Sequence, residues 1–272
     1  MTPNIIVVNL DADVERMAHM RGQLDKTGLA YERFSAICGA NVPARLQSYF
    51  AKDSLLSPGE IGCYASHLAV FQRVVASRLA SPLLVLEDDV ALPHDLPEQL
   101  NALLHALPER WDIVRLSSPT KRLTRPLANL RGGYELVRYS NVPASTGAYL
   151  INISGARKLL ELRPRSLPID QDLRRVWAWD LDTYGVAPPL IRPDVLGSSS
   201  IDEMSPIGRA CIRRGGDMRT QRLREGIARF RRGVRDFGLP RWLAVEALGV
   251  AARLTPRRTR AAFYEWAKAC VA

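Results

Sequence analysis

Three adjacent carboxylates after a short apolar run are the residues best suited to chemistry in this sequence. Residues 83–86 are four consecutive large aliphatic side chains, which predicts a strand covered on both faces. Glu87, Asp88 and Asp89 follow at its carboxyl end, the edge where open α/β sheets bind ligands. Adjacent carboxylates repel unless a cation neutralises them, and oxygen ligands favour Mg²⁺ or Mn²⁺. The pattern predicts a metal site; the alternative is an acidic turn that caps a helix.

A second pair of acids, Asp170 and Asp172, precedes an apolar helical pattern. In a loop after the sheet, one of them would suit a general base that takes a proton from a hydroxyl group. Alternatively, either acid caps the helix or interacts with the dipole of its first turn. The residue types alone do not choose between these interpretations.

Glu60 and His67 belong to a helix whose start has a clear mechanism. Ser57 suits the N-cap, Pro58 suits the first helical position, and Glu60 can complete a capping box. The helix is predicted to run to about residue 77, with one apolar face made of Ile61, Ala65, Leu68, Gln72 and Val75. The adjacent flank carries Glu60, Tyr64, His67 and Phe71. Glu60 and His67 are therefore candidates to contact a donor or acceptor, unless they only cap and pack.

The remaining elements must bring these groups to one edge of the sheet. Residues 4–10 are a continuous apolar run that predicts a parallel central strand, and a helical pattern follows until Gly28. This opening suggests a nucleotide-binding α/β half, although no G-x-G-x-x-G motif is present. Residues 111–116 predict another strand, which brings Arg115 towards the same edge as a further binding candidate. Residues 118–133 predict a mobile loop over the site, in which three basic residues meet a diphosphate or are simply solvated: Lys121, Arg122 and Arg125.

Several short motifs occur in a fixed order along residues 4–203. They are Ile-Val-Val-Asn-Leu-Asp at 6–11, Tyr-Glu-Arg-Phe at 31–34, Leu-Ser-Pro-Gly-Glu-Ile-Gly-Cys-Tyr-Ala-Ser-His at 56–67, Leu-Glu-Asp-Asp-Val at 86–90, Trp-Asp-Ile-Val at 111–114, Ser-Thr-Gly-Ala-Tyr-Leu at 145–150, Gly-Ala-Arg-Lys-Leu-Leu at 155–160, Pro-Ile-Asp at 168–170 and Ser-Ser-Ile at 199–201. In this order the motifs resemble glycosyltransferase family 25. That family includes bacterial lipooligosaccharide sugar transferases and is similar to animal collagen galactosyltransferases.

The resemblance implies a GT-A-like nucleotide-diphospho-sugar transferase fold, with a mostly parallel central sheet. It implies an inverting transfer of a hexose, with UDP-galactose as the expected donor, to a lipopolysaccharide, lipooligosaccharide or related glycan acceptor. Asn9, Leu10 and Asp11 would then lie near the uracil and ribose of the donor, although Asn9 also suits a plain turn at a strand end. The acidic cluster would hold Mn²⁺ or Mg²⁺. Asp170 is the first candidate for the base and Asp172 the second.

Charge divides the chain into two parts. The 272 residues suffice for one sizeable core, so we expect a catalytic domain over residues 1–205 and a tail over residues 206–272. The net charge is +10, and residues 207–272 hold 16 Lys and Arg against 5 Asp and Glu. An anionic partner is expected for such a tail, either a membrane surface or a phosphorylated glycolipid. Nucleic acid is not expected, because the tail has no recognised binding motif.

The tail has the pattern of two amphipathic helices. The first carries an apolar stripe made of Leu223, Ile227, Phe230, Val234 and Phe237, and the second covers residues 242–254. Arginines surround the stripe, which is typical of a helix that lies on a membrane surface. The alternative is a helical hairpin that packs on the catalytic domain and exposes its basic face.

Composition also suggests a location. The four cysteines form no C-x-x-C pair, the N-terminus shows no export signal, and no apolar run is long enough to span a membrane. We expect a cytoplasmic protein, peripheral on the inner face of the cell membrane. The main rival to an enzyme is a nucleotide- or glycan-binding scaffold without turnover.

Overall fold

The structure is a computed structural model of the chain. It describes residues 2–51, 54–77, 82–117, 122–194, 218–256, 258–259, 262–264 and 266–267. The expected domain boundary at residues 205 and 206, the Ser-Ser-Ile motif at 199–201 and Lys121 lie outside these residues.

A large sheet forms the centre of the fold. In chain order the strands are β1 (Asn4–Asn9), β2 (Glu32–Ser35), β3 (Leu83–Glu87), β4 (Val90–Ala91), β5 (Ile113–Arg115), β6 (Thr124–Asn129), β7 (Glu135–Tyr139), β8 (Ala148–Ile151), β9 (Thr183–Ala187) and β10 (Arg192–Pro193). Within the described residues, eight strands form one sheet in the order β2-β1-β3-β8-β5-β9-β7-β6, and β4 pairs with β10 separately.

The central sheet is mostly parallel, as predicted. Strand β1 is parallel to both of its neighbours, β2 and β3, and β5 is parallel to β9. Strands β8 and β7 are antiparallel to the strands on either side of them, so the other six strands share one direction. This mixed α/β architecture is consistent with a GT-A-like fold.

Helices cover both faces of the sheet. They are α1 (Val14–Thr27), α2 (Ala44–Gln47), α3 (Pro58–Ala76), α4 (Leu96–Ala106), α5 (Ile153–Leu159), α6 (Ile169–Arg174), α7 (Met218–Phe237) and α8 (Leu239–Leu254), with short 3₁₀ turns at Gly39–Asn41 and Arg131–Gly133. Helix α1 ends as predicted at Gly28, whose φ of 67° lies in the left-handed region that glycine adopts without strain.

Two apolar clusters sandwich the sheet. Along β1, Ile6 and Val8 point into one cluster, which α3, α5 and α6 complete, while Ile5 and Val7 point into the other, with α1 and α4. Residues 83–86 alternate between the same two clusters. Their continuous aliphatic run therefore reflects burial on both faces, as predicted.

Helix α3 begins at the predicted capping box. The Ser57 N–H donates to Glu60 Oε2 at 2.8 Å, and the Glu60 N–H donates to Ser57 Oγ at 3.3 Å. The predicted flank lies deeper than the predicted apolar face. Its members Tyr64, His67 and Phe71 are buried, because this side of α3 packs on the sheet.

The prediction of a mobile loop over residues 118–133 is wrong for the described part of that segment. Thr124–Asn129 forms β6, the strand at one edge of the sheet, which pairs with β7. Arg125 donates a 2.7 Å hydrogen bond to the Asp236 carbonyl, and Arg122 contacts the Tyr264 hydroxyl. These two arginines therefore contact the C-terminal part of the chain. Polar side chains on an edge strand hid the strand from pattern analysis.

Helices α7 and α8 form a hairpin that packs on the sheet domain. Leu123 joins a small core with Phe237, Trp242 and Val245 of the hairpin. Arg232 is buried and forms ion pairs with Asp182 at 3.1 Å and with Asp236 at 2.6 Å. The geometry thus follows the packed-hairpin alternative for this side of the tail.

No helix among the described residues is both long enough and apolar enough to cross a membrane.

Candidate active site

The candidate site lies where β1 and β3 end side by side. The strands are parallel, and Val8 of β1 is in register with Glu87 of β3. Asn9 ends β1, while Asp88 and Asp89 follow Glu87 directly. Polar groups from two parallel strands thus meet at one carboxyl edge, where α/β sheets bind their ligands.

Asn9 organises the first part of the site. Its buried side chain donates from Nδ2 to Asp88 Oδ2 at 2.6 Å and to the Asp13 carbonyl at 3.0 Å. Its Oδ1 accepts a hydrogen bond from Arg33 Nε at 2.8 Å. Asn9 therefore makes more contacts than a turn residue needs, and it links β1 to the acidic cluster.

Asp88 and Asp11 are held by nearby arginines. Asp88 Oδ1 lies 3.4 Å from Arg16 Nη1. Burial raises the pKa of Asp88, against the opposing effects of Asn9 and Arg16. Asp11 accepts hydrogen bonds from Arg33 and Ser35, which lower its pKa. The half-buried Leu10 lies between Asn9 and Asp11 in the chain.

The pKa of Asp89 is strongly raised from the usual value of an aspartate. Burial, together with the charges of Glu87 and Asp88, raises the pKa of Asp89 to about 6. Burial is the main cause of this rise, and repulsion from the two neighbouring carboxylates adds to it.

The carboxylate of Glu87 faces His67 of α3. His67 Nε2 lies 3.4 Å from Glu87 Oε1. Partial burial opposes ionisation of Glu87, but hydrogen bonds from His67 and Thr146 outweigh it and lower the pKa of Glu87. Among the His, Cys and acidic groups that the structure describes, the ligand atoms that converge within 4.8 Å belong to Cys63, His67 and Glu87. The three consecutive acids do not form such a group.

Arg115 is fully buried at the end of β5. Among the described residues, Nε, Nη1 and Nη2 of its guanidinium have no hydrogen-bond partner, and the group lies 5.9 Å from the Tyr149 ring. Burial lowers the pKa of Arg115, although the charges of Asp170 and Glu87 oppose that shift. Arg115 therefore lies within electrostatic reach of both the acidic cluster and Asp170.

Asp170 and Asp172 lie in the first turn of α6, as the helix-dipole alternative expected, and not in the loop expected for a general base. Asp170 is half-buried and accepts a 3.0 Å hydrogen bond from Gln171, and its charge acts on Cys63 as well as Arg115. Asp172 is buried and accepts a 2.9 Å hydrogen bond from the Tyr64 hydroxyl. Burial raises the pKa of Asp172. The two acids therefore have different environments, and Asp170 is the more accessible.

Glu60 is committed to the cap of α3, although its charge still acts on the Cys63 thiol. Burial is the main cause that raises the pKa of Cys63, and the charges of Glu87, Asp170, Asp89 and Glu60 add to it. Four of the predicted acids thus act electrostatically on one thiol.

Sequence analysis missed Arg33, Cys63 and Tyr149. Arg33 holds both Asn9 and Asp11, and Tyr149 contacts His67. The four-residue spacing of Cys63 and His67 was a visible signal for a shared helix face. Arg33 and Tyr149 carry no comparable signal, because their partners are far away in sequence.

Six strands of the sheet share one direction, and an amide and carboxylates lie at the ends of two of them that are adjacent. This arrangement defines the class of the fold as an open α/β sheet, and proteins of that class usually bind ligands at the carboxyl edge. The model of one family, described as "Glycosyltransferase family 25 (LPS biosynthesis protein)", matches residues 2–173. The chain belongs to glycosyltransferase family 25.

Curated relatives agree with this family. "Probable inactive glycosyltransferase 25 family member 3" from Rattus norvegicus is 27% identical over 220 residues, which cover 70% of this chain and 38% of the relative. "Procollagen galactosyltransferase 1-A" from Xenopus laevis is 27% identical, with coverage of 62% and 30%. "Glycosyltransferase 25 family member" from Anopheles gambiae is 30% identical, with coverage of 62% and 31%. The matched part of the chain thus spans about a third of the length of these relatives.

Proposed function

We propose that this protein transfers a hexose from a nucleotide sugar, with UDP-galactose as the donor, to a hydroxyl group of a lipopolysaccharide, lipooligosaccharide or related glycan. The observation that carries the proposal is the placement of Asn9, Asp88 and Asp89 at the joint carboxyl edge of β1 and β3. Family membership and a relative named as a procollagen galactosyltransferase support the reaction class.

Two of the three carboxylates in the acidic cluster are available to bind a hard divalent ion. Both oxygens of Asp88 already face Asn9 and Arg16, which leaves Asp89 and Glu87 as the carboxylates that repel each other. Mg²⁺ and Mn²⁺ commonly bind one or two carboxylates together with substrate phosphates, so two carboxylates suffice. A bound Mn²⁺ or Mg²⁺ supplies a Lewis acid that stabilises the charge of the departing diphosphate.

The protein's own groups bind and orient the substrates. Asn9, Leu10 and Asp11 contact the nucleoside part of the donor. Arg115 adds positive charge at the same edge, and His67 and Glu60 hold the geometry of α3 beside it. Asp170 takes the proton of the acceptor hydroxyl while the oxygen of that hydroxyl forms the new bond to the anomeric carbon. The bond from that carbon to UDP breaks, and the configuration inverts.

Asp170 is preferred to Asp172 as the base because of exposure. A base must reach a substrate hydroxyl, and Asp172 is buried and occupied by Tyr64 and Arg175. Asp170 is half-buried and shares its electrostatic neighbours, Cys63 and Arg115, with Glu87.

The tail suggests where the enzyme works. The outer side of α8 exposes four large apolar side chains at helical spacing: Leu239 (49% exposed), Leu243 (52%), Val250 (55%) and Leu254 (83%). The surrounding tail has a large excess of basic residues, so an anionic membrane complements this face better than a second, equally basic copy would. We therefore propose that the protein works in the cytoplasm, peripheral on the inner face of the membrane.

A second candidate is a scaffold that binds a nucleotide or glycan without turnover, which is favoured by relatives whose names describe them as inactive. Incubation of the full chain with a panel of nucleotide sugars, with Mn²⁺, Mg²⁺ or chelator, separates the two. Metal-dependent release of UDP from UDP-galactose supports the enzyme. Donor binding without release from any donor supports the scaffold, and absence of both rejects this use of the site.

A further inference from the structure

Three potential metal ligands converge beneath the acidic cluster. The Cys63 thiol, a ring nitrogen of His67 and a carboxylate oxygen of Glu87 all lie within 4.8 Å of one another. Ligand atoms bound to one tetrahedral zinc ion at about 2.0–2.3 Å are separated by ~3.3–3.8 Å. Small side-chain movements would therefore bring these three atoms around a single ion.

Helix geometry places two of the ligands. Cys63 and His67 are four residues apart on α3, so their side chains leave the helix on the same face. The same spacing brings the two histidines of an H-E-x-x-H helix to one zinc ion. Glu87 ends β3, which packs against α3 in the same apolar cluster. The set thus comes from two rigid elements rather than from a loop.

The orientation of His67 is already set by its outer contact. Nδ1 lies 2.6 Å from the Tyr149 hydroxyl, and Nε2 faces Glu87. The ring is 1% exposed, so solvent does not compete for either nitrogen. Histidines that bind metals usually donate the N–H of their other nitrogen to an acceptor, and the Tyr149 hydroxyl oxygen can act as that acceptor for Nδ1.

We propose that Cys63, His67 and Glu87 form a binding site for a zinc-type divalent ion. Thiolate and imidazole are the ligands that zinc prefers, whereas Mg²⁺ and Mn²⁺ prefer oxygen alone. The thiol proton passes to the solvent as the ion binds. Three protein ligands leave one coordination position for water or a substrate atom.

This site differs from the one that would hold the donor's diphosphate. We call the diphosphate site at Asp89 and Glu87 the outer site, and the site at Cys63, His67 and Glu87 the inner site. Asp89 belongs only to the outer site, whereas Cys63 and His67 belong only to the inner site. Glu87 has two carboxylate oxygens and contributes to both, with Oε1 on the side of His67. A bound inner ion ties α3 to the end of β3, where Asp88 and Asp89 begin. It thereby stabilises the geometry of the donor edge, whether or not the protein transfers a sugar.

The test is a titration of the metal-free full chain with Co²⁺, a spectroscopic substitute for zinc, followed by competition with Zn²⁺. Ligation by Cys63 predicts a thiolate-to-cobalt charge-transfer absorption that Zn²⁺ removes. Cys63→Ser should abolish this absorption, and Cys38→Ser, which changes an exposed thiol, should preserve it. Tyr149→Phe should weaken Co²⁺ binding by roughly 10–100-fold, because the outer partner of His67 is lost.

Other variants separate this proposal from the proposed function. Asp89→Asn should keep the absorption, even though it impairs the outer site. Circular dichroism of Cys63→Ser shows whether that variant folds, and His67→Gln provides a second ligand change. The site is rejected if the parent protein binds Co²⁺ without a thiolate band, if it does not bind at micromolar concentration, or if the band survives in folded Cys63→Ser.

Discussion

The amide of Asn9 donates a 2.6 Å hydrogen bond to the carboxylate of Asp88 and so joins the ends of β1 and β3. The two residues are 79 positions apart in the chain. A single buried side chain thus couples the opening strand to the acidic cluster.

Asn9→Ala should therefore destabilise the fold. The change removes one hydrogen bond from the half-buried Asp88 and one from Arg33, although Asp88 keeps Arg16 and Arg33 keeps Asp11. A hydrogen bond to a charged group contributes about 1.5–3 kcal/mol. Urea unfolding of the full chain measures the loss. Asn129→Ala on the exposed edge strand is the matched control and should change the free energy of unfolding little. Equal stability of the two variants would contradict the role of Asn9.

Asp89→Asn should weaken metal-dependent binding of UDP. The outer site loses one of its two available carboxylates, and loss of even an outer partner of a metal site costs roughly 10–100-fold in affinity. Calorimetric titration with UDP, with and without Mn²⁺, is the measurement. Asp25→Asn on the exposed side of α1 is the control. If UDP binds the parent equally well in chelator, the metal assignment is wrong.

Asp170→Asn should abolish transfer but keep donor affinity within a few-fold. The amide preserves shape and cannot accept the proton, and general-base help is worth roughly 10²–10⁴-fold in rate. Single-turnover kinetics and UDP-sugar binding should be compared with those of Asp172→Asn. Loss of donor binding would make Asp170 a donor ligand, and full activity would reduce it to a residue of the α6 first turn.

Asp172→Asn should change how stability depends on pH. An unfolded Asp titrates near ~3.9, and burial raises the pKa of Asp172 in the fold. The contribution of this carboxyl to stability is therefore fully present below ~3.9 and is lost as pH rises through its raised folded pKa. The Asn variant should lack that loss, so its stability relative to the parent should increase from acid to neutral pH. Parallel curves of unfolding free energy against pH would refute the prediction.

Leu243→Glu should weaken binding to anionic vesicles if the outer face of α8 docks on a membrane. Burial of a leucine contributes about 1.5–3 kcal/mol, so we expect a loss of about 10-fold or more. Co-sedimentation with phosphatidylglycerol vesicles measures it, and neutral phosphatidylcholine vesicles test the role of charge. Leu162→Glu, which changes an even more exposed leucine after α5, should bind like the parent. No difference between the two variants would remove α8 from the docking surface.

Local patterns were sufficient for the parts of the fold that local physics decides. Strands β1 and β3 are buried on both faces, and this burial requires their continuous apolar runs. The capping box at Ser57 marks the start of α3, and the left-handed backbone of Gly28 marks the end of α1. Strand β6 was missed because an edge strand exposes polar side chains and has no alternating apolar pattern. The reversed direction of β7 and β8 was not predicted, because strand direction depends on the path of the whole chain.

The sequence by itself determined the family, the order of the main elements and the presence of acids at the end of β3. Only the tertiary structure decided how those acids are divided: Asp88 faces Asn9 and Arg16, Glu87 faces His67, and Asp89 is left with a raised pKa. Tertiary packing also separated the buried Asp172 from the accessible Asp170 and placed Cys63 beside His67 and Glu87. The physical reason is that hydrogen bonds and pKa shifts depend on distances between groups far apart in the chain, which residue spacing does not specify.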